Sequence, residues 1–188
     1  MREHRFVLAL LLLVIGTGVM PAAVGQFGFL KRGSKTQFQL FKDPGGRFSL
    51  EYPKDWQAVA GAGDVLVTFA QKKSEAALVV ERFRMNQALA PDEITDLFAQ
   101  IEADVLKEHQ PKAADVTAKL VNAAGQRLIV IDYSRPGLSG PERARQYSFP
   151  VAQDLYRLTC SAVAAQFAKY DPVFTHVAES FKPAEGAR

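Results

Sequence analysis

The chain has 188 residues, 48% hydrophobic and 23% charged, the balance of an ordinary globular domain, which excludes a disordered tail protein, a collagen and a large multidomain assembly. Its 23 Lys and Arg against 20 Asp and Glu give a net charge of +3, too small an excess to point to nucleic acid as a partner.

Arg2 and Arg5 precede an apolar run from Phe6 to Val19, and Pro21, Ala22, Ala23, Val24 and Gly25 follow it. A basic start, an apolar middle and a small-residue exit make up a secretory signal, so residues 1–25 are expected to be an export segment cut before Gln26. The run is shorter than the roughly 20 apolar residues that a spanning helix needs, so the mature chain is expected to have no transmembrane span. No cysteine near the cut offers a lipid attachment point. The expected location is the periplasm or the extracellular space. The lone cysteine, Cys160, allows no internal disulfide, and stability has to come from an ordinary core.

Residues 26–37 mix glycines and basic residues with Phe27, Phe29 and Leu30, matching neither helix nor strand period, and read as a flexible leader. Alternation begins with Phe38 and Leu40, turns at DPGG (43–46), where Gly45 and Gly46 suit positive φ, and returns through Phe48, Leu50 and Tyr52. Asp64 to Gln71 and Ala76 to Arg84 read as two further strands. Leu78, Val79 and Val80 make the second apolar on both faces and place it centrally. From Pro91 to His109 the period becomes helical, with Ile94, Leu97, Phe98, Ile101, Val105 and Leu106 on one stripe, Pro91 at the first position and Asp92 and Glu93 at the positive end.

Strands then return from Val116 to Leu120 and from Leu128 to Tyr133, separated by a turn at NAAG (122–125). PGLSGP (136–141) reads as a loop, and Arg143 to Phe149 and Leu155 to Val163 read as an antiparallel pair with Tyr156, Leu158, Cys160 and Ala162 inward. A closing helix is expected from Asp171, capped by that carboxylate, with Pro172 in its first turn and Val173, Phe174, Val177 and Phe181 buried. Pro183 stops it, and 184–188 form a disordered tail. Four strands, a helix, four strands and a helix predict an α+β domain over 38–183, in which helices or loops cover both sides of an antiparallel sheet.

The stretches GRFSLEYPKDW (46–56), where a strand ends in Trp56, RQYSFPVAQDLYRLTCSA (145–162) and FAKYDPVFTHVAESFKP (167–183) resemble motifs of the PsbP-like family. The resemblance covers about residues 38 to 183. It implies an α/β/α sandwich around a central antiparallel sheet and a non-enzymatic role. Known members include extrinsic subunits on the lumenal side of photosystem II that help to retain calcium and chloride, and exported bacterial proteins. In a photosynthetic cell the resemblance implies the thylakoid lumen. It brings no metal ligands, because no residue here matches a ligand pattern.

The residues themselves offer little chemistry. His109 and His176 lie far apart without partners at zinc spacing. Cys160 falls in a core-facing row, Asp92, Glu93 and Asp96 suit a helix start, and Ser139 lacks the strand-to-helix turn of a nucleophile elbow. No catalytic residue, metal site or cofactor is expected. Two features are left as binding candidates. Arg82 and Arg84 on one strand and Arg143 and Arg145 on another turn an apolar row basic, and if these ends met they would form an anion-binding or docking patch. Glu81 or Asp132 could pair with one of them. Phe27, Phe29, Leu30, Lys31 and Arg32 of the leader could dock on a protein or an anionic membrane surface. The expectation is therefore an accessory subunit of a protein complex at a membrane surface. The rival is a carrier holding a small anionic ligand in a cleft near Trp56 and Tyr133.

Overall fold

A computed structural model of the chain describes residues 36–71, 76–90, 92–123 and 126–184. The expected export segment, the docking residues Phe27, Phe29, Leu30, Lys31 and Arg32, Pro91 and residues 185–188 lie outside them. The elements in order are β1 (Phe38–Lys42), β2 (Phe48–Pro53), β3 (Trp56–Ala60), β4 (Val65–Gln71), β5 (Ala77–Arg84), α1 (Asp96–His109), β6 (Ala114–Ala123), β7 (Gln126–Gly137), β8 (Gly140–Val151), β9 (Asp154–Val163), α2 (Phe167–Ser180) and β10 (Lys182–Pro183). Seven strands pair antiparallel in the order β3-β4-β5-β9-β8-β7-β6, and three make a second sheet, β1-β2-β10. The α+β class and the antiparallel sheet agree with the sequence reading.

Strand alternation divides the side chains of the large sheet between two cores. Phe69, Leu78, Leu158 and Cys160 point to one face, where Trp56, Phe174 and Val177 and the Phe48, Leu50 and Phe181 side chains of the small-sheet side close a core rich in aromatic rings. Phe181 meets Phe149 at 4.7 Å and Phe48 at 5.5 Å between ring centroids. On the other face Ile129, Ile131, Tyr133 and Ala144 pack under Ile94, Ala99, Ala103 and Leu106. The layers are α1, the seven-stranded sheet, and α2 together with the small sheet.

Several elements depart from the sequence reading. Trp56 opens a strand of its own, and β3 and β10 are additional. Only Gly46 of the 43–46 turn has positive φ, at 68°. PGLSGP is the tip of a tight hairpin: Pro136 pairs with Pro141 and Gly137 with Gly140, leaving Leu138 and Ser139 as the turn. α1 begins at Asp96, where the Thr95 side chain accepts from Phe98 N, and not in the Pro91 region. The helix is also turned relative to the expected stripe. Leu97 is 71% and Ile101 48% exposed, whereas Ala99, Glu102, Ala103 and Leu106 are buried. Small alanines let the helix lie close to the sheet, and Glu102 finds a partner there, so the two larger aliphatics are left outside. α2 begins at Phe167, four residues before Asp171, with Pro172 inside it. Asp171 therefore lies inside the helix, where it cannot cap the start, and its carboxylate accepts from Arg145.

Candidate functional site

α2 packs on β2, β9 and β8 and stops short of β6 and β7. The uncovered corner is a cleft of about 240 Å³. Val121, Leu128 and Val130 form its apolar floor, Thr175, Ala178 and Glu179 of α2 its wall, Arg145 and Tyr147 of β8 its inner end, and Lys119 stands with them at the lining. Alternation on β8 places Arg145 and Tyr147 on the α2 side.

Arg145 is the polar centre of this corner. Its Nε donates to Asp132 Oδ1 at 2.8 Å and its Nη1 to Asp171 Oδ1. The sequence reading anticipated a pairing of Asp132 with one of the arginines. Burial opposes the charge of Arg145, but its contacts with Asp132 and Tyr147 outweigh that and hold the guanidinium above its ordinary pKa. Burial also raises the Tyr147 hydroxyl. Arg143 and Arg145 lie 5.1 and 5.7 Å from the centre of the Phe167 ring, cation–π contacts at the start of α2. Since Asp132 and Asp171 balance Arg145, and Glu179 lines the cleft with Lys119, the corner has no positive excess.

The other arginines are elsewhere. In the β5–β9 register Arg82 stands opposite Tyr156 and Arg84 opposite Asp154, whereas across β8–β9 Arg143 stands opposite Ala162 and Arg145 opposite Cys160. The two pairs therefore occupy opposite ends of β9, and the four guanidinium groups do not meet. Arg82 reaches Asp154 at 2.9 Å and Arg84 reaches it at 3.5 Å, clamping the β8–β9 turn, where Ala152 has φ 53°. Trp56 is buried in the aromatic core against Tyr170 and Phe174, and Tyr133 is buried on the α1 face, so the two share no cleft. The Tyr133 hydroxyl is buried on the Gln110 side of this face, and burial raises its pKa.

Cys160 is fully buried, and burial pushes its thiol far above the ordinary range, which removes the thiolate that a nucleophile requires. His109 sits in the last turn of α1 and its Nδ1 lies 2.9 Å from Val105 O. His176 Nε2 lies 2.8 Å from Glu51 Oε2, and its ring meets that of Phe38 at 3.8 Å between centroids, tilted by 31°. That pair spans β2 and α2, and nothing in the sequence pattern connects its members. Among the described residues no group of three or more His, Cys, Asp or Glu gathers as a metal site, and no helix is long and apolar enough to cross a membrane.

A polar network between α1 and the sheet had no sequence signal. Arg157 donates twice to the buried Glu102 carboxylate, at 3.1 and 3.0 Å, and lies 4.5 Å from the centre of the Phe83 ring. Ser148 and Gln146 extend the network. It fastens α1 to the sheet.

Comparison with known proteins follows the same architecture. The PsbP family profile matches residues 36–183. Among solved structures, cyanobacterial PsbP (CyanoP) from Synechocystis sp. PCC 6803 superposes with a TM-score of 0.60 at 16% identity, covering 84% of this chain and 98% of that one. The Ran-binding protein Mog1p of Saccharomyces cerevisiae gives 0.56 at 7% identity over 79% of this chain and 96% of its own. LpqN of Mycobacterium tuberculosis, involved in cell envelope biogenesis, gives 0.53 at 12% identity over 82% and 94%. A search among curated proteins gave no match. At these identities the superpositions carry the fold alone, whereas the profile spans most of the chain: the protein belongs to the PsbP family.

Proposed function

We infer that this PsbP-family chain is an exported binding protein, acting without catalysis as an accessory subunit of a membrane-associated complex. One observation carries the reading: the outer face of α1 presents Leu97 and Ile101, one turn apart and 71% and 48% exposed, while the same helix buries alanines and a glutamate. Fully burying an exposed aliphatic side chain is worth about 1.5–3 kcal/mol, and the uncovered parts of Leu97 and Ile101 offer a partner a share of that which the fold leaves open. That Mog1p, of similar fold, binds Ran supports the use of this scaffold for docking proteins. Affinity capture from the native envelope tests the reading. A stoichiometric partner is expected with the wild-type chain and lost with Leu97→Ser/Ile101→Ser, and repeated recovery of the chain alone counts against it.

The cleft beside Arg145 favours a second reading, a carrier of a small anionic ligand. Its apolar floor and single guanidinium support it, and the flanking Asp132 and Asp171 weigh against anion selection. Thermal-shift titration with anionic metabolites decides, because saturation raises the melting temperature by mass action.

A further inference from the structure

The cleft beside α2 is lined by two charges that the fold leaves unused. In the strand registers Lys119 stands opposite Val130 and Val130 opposite Tyr147, while Val121 stands opposite Leu128. Directly opposite residues of antiparallel strands share a face, so the floor is two cross-strand rows. One runs from Lys119 at the β6 edge through Val130 to Tyr147, and the other, Val121 with Leu128, is aliphatic. Along the α2 wall Asp171 reaches Arg145, Thr175 follows one turn on, and Glu179 stands a further turn along, in the last turn of the helix. Lys119 and Glu179 are both exposed, and neither has a hydrogen bond or ion pair to another described residue.

Glu179 is the more telling of the two. The carboxyl end of a helix carries partial negative charge and favours cations, yet the last turn of α2 holds this carboxylate and no basic side chain. Its position works against the helix, and a local rule broken without compensation inside the chain is expected where a site serves something outside it. Arg145, by contrast, is already engaged by Asp132 and Asp171. What the cleft offers a ligand is therefore one ammonium, one carboxylate and an aliphatic floor.

We propose that the cleft binds an aliphatic α-amino acid as a zwitterion, with its carboxylate on Lys119, its ammonium on Glu179 and its side chain over Val121, Leu128 and Val130. The proposal rests on the carrier reading of this cleft and changes the charge of what is carried. A simple anion covers Glu179 without pairing it, and a simple cation does the same to Lys119. Covering a charge without giving it a partner is costly, so a ligand bearing both signs is the one that satisfies both groups. Size agrees: at about 240 Å³ the cleft falls below the roughly 300–1,000 Å³ of sites for drug-sized molecules, which suits a single amino acid.

Isothermal titration calorimetry of the purified chain with three probes tests this. L-leucine carries both charges, N-acetyl-L-leucine only the carboxylate and L-leucinamide only the ammonium. L-leucine is expected to bind, and each single-charge analogue to bind at least about tenfold more weakly, the effect of losing one charge-assisted hydrogen bond. Glu179→Gln and Lys119→Gln should each weaken L-leucine by a similar factor without lowering the melting temperature, since both side chains are exposed. Glu179→Gln should leave N-acetyl-L-leucine no weaker than before. If N-acetyl-L-leucine binds as tightly as L-leucine, the proposal falls and an anion carrier stands. If L-leucinamide does so, the proposal falls as well. If none of the three binds at millimolar concentration, the carrier reading falls with it. L-leucine binding untouched by both substitutions would put the ligand elsewhere and overturn the assignment.

Discussion

The two faces of the large sheet are held by different physics. Toward α2 the contact is oily and ring-filled: Trp56, Phe69, Phe149, Phe174 and Phe181 interlock, and the strength comes from removing large apolar surfaces from water. Toward α1 the contact is less aromatic, with Ala99, Ala103 and Leu106 of the helix packed on Ile129, Ile131 and Tyr133 of the sheet and a bidentate ion pair beside them. A buried ion pair contributes little net stability compared with an apolar replacement, yet losing one partner is costly. The first face therefore carries the larger share of the aromatic burial, and the ion pair on the second fixes where α1 sits and which of its sides meets solvent.

That contrast can be broken at measurable points. Phe174→Ala, at a fully buried position, should cost about 3–5 kcal/mol in chemical denaturation, the range for removing a core aromatic ring. Glu102→Ala leaves Arg157 largely buried without its carboxylate and should cost about 3 kcal/mol. Replacing both residues by Leu should recover most of that loss, which would show that the pair positions α1 more than it stabilises the fold. If Glu102→Ala proved as harmless as a surface change, the division between the two faces would be wrong.

A subtler difference concerns Glu81, half-buried on the α1 side of β5 and opposite Arg157 in the strand register, with no ion pair to another described residue. Burial raises its pKa above the ordinary glutamate value, only partly offset by Arg157. A carboxyl whose folded pKa is raised binds more protons in the native state. Its full contribution is present below the unfolded pKa and is lost as pH rises through the folded one. Glu81→Gln should therefore raise the melting temperature at pH 7 and leave it unchanged near pH 4. A gain of equal size at both pH values would remove the assignment. The smallest expected effect is that of Leu97→Ser/Ile101→Ser, about 0.5 kcal/mol per substitution by denaturation, because most of Leu97 and half of Ile101 lie outside the packed interior.

How far the sequence could be read depended on the period of each segment. Strands such as β2 and β9 alternate over many residues, and their inward rows, Phe48 and Leu50 or Tyr156 to Ala162, were legible because a sheet row needs only every second residue. α1 misled because Leu97 and Ile101 outweigh Ala99 and Ala103 in any hydrophobic stripe, whereas packing selected the smaller pair and a charge whose partner lies 55 residues away. β3 was missed because QAVA has no apolar row to show. Of the two inner-strand carboxylates expected to pair with an arginine, Asp132 does so, whereas Glu81 makes no ion pair to another described residue. The separation of Arg82 and Arg84 from Arg143 and Arg145 could not be anticipated, because it depends on the direction in which β9 runs between β5 and β8. The cleft is likewise a consequence of where α2 stops, a tertiary fact that no single segment encodes.

The β7–β8 hairpin narrows to Pro136 facing Pro141, with Arg135 and Glu142 joined at 2.9 Å just behind them and Leu138 at the tip 93% exposed. Two facing rings with fixed φ brace the stem, so the tip can be lengthened without the change reaching either core. A fluorophore or epitope spliced between Leu138 and Ser139 would ride outside the folded body, giving cell biologists a handle for locating the protein in the cell while leaving the α1 stripe and both cores untouched.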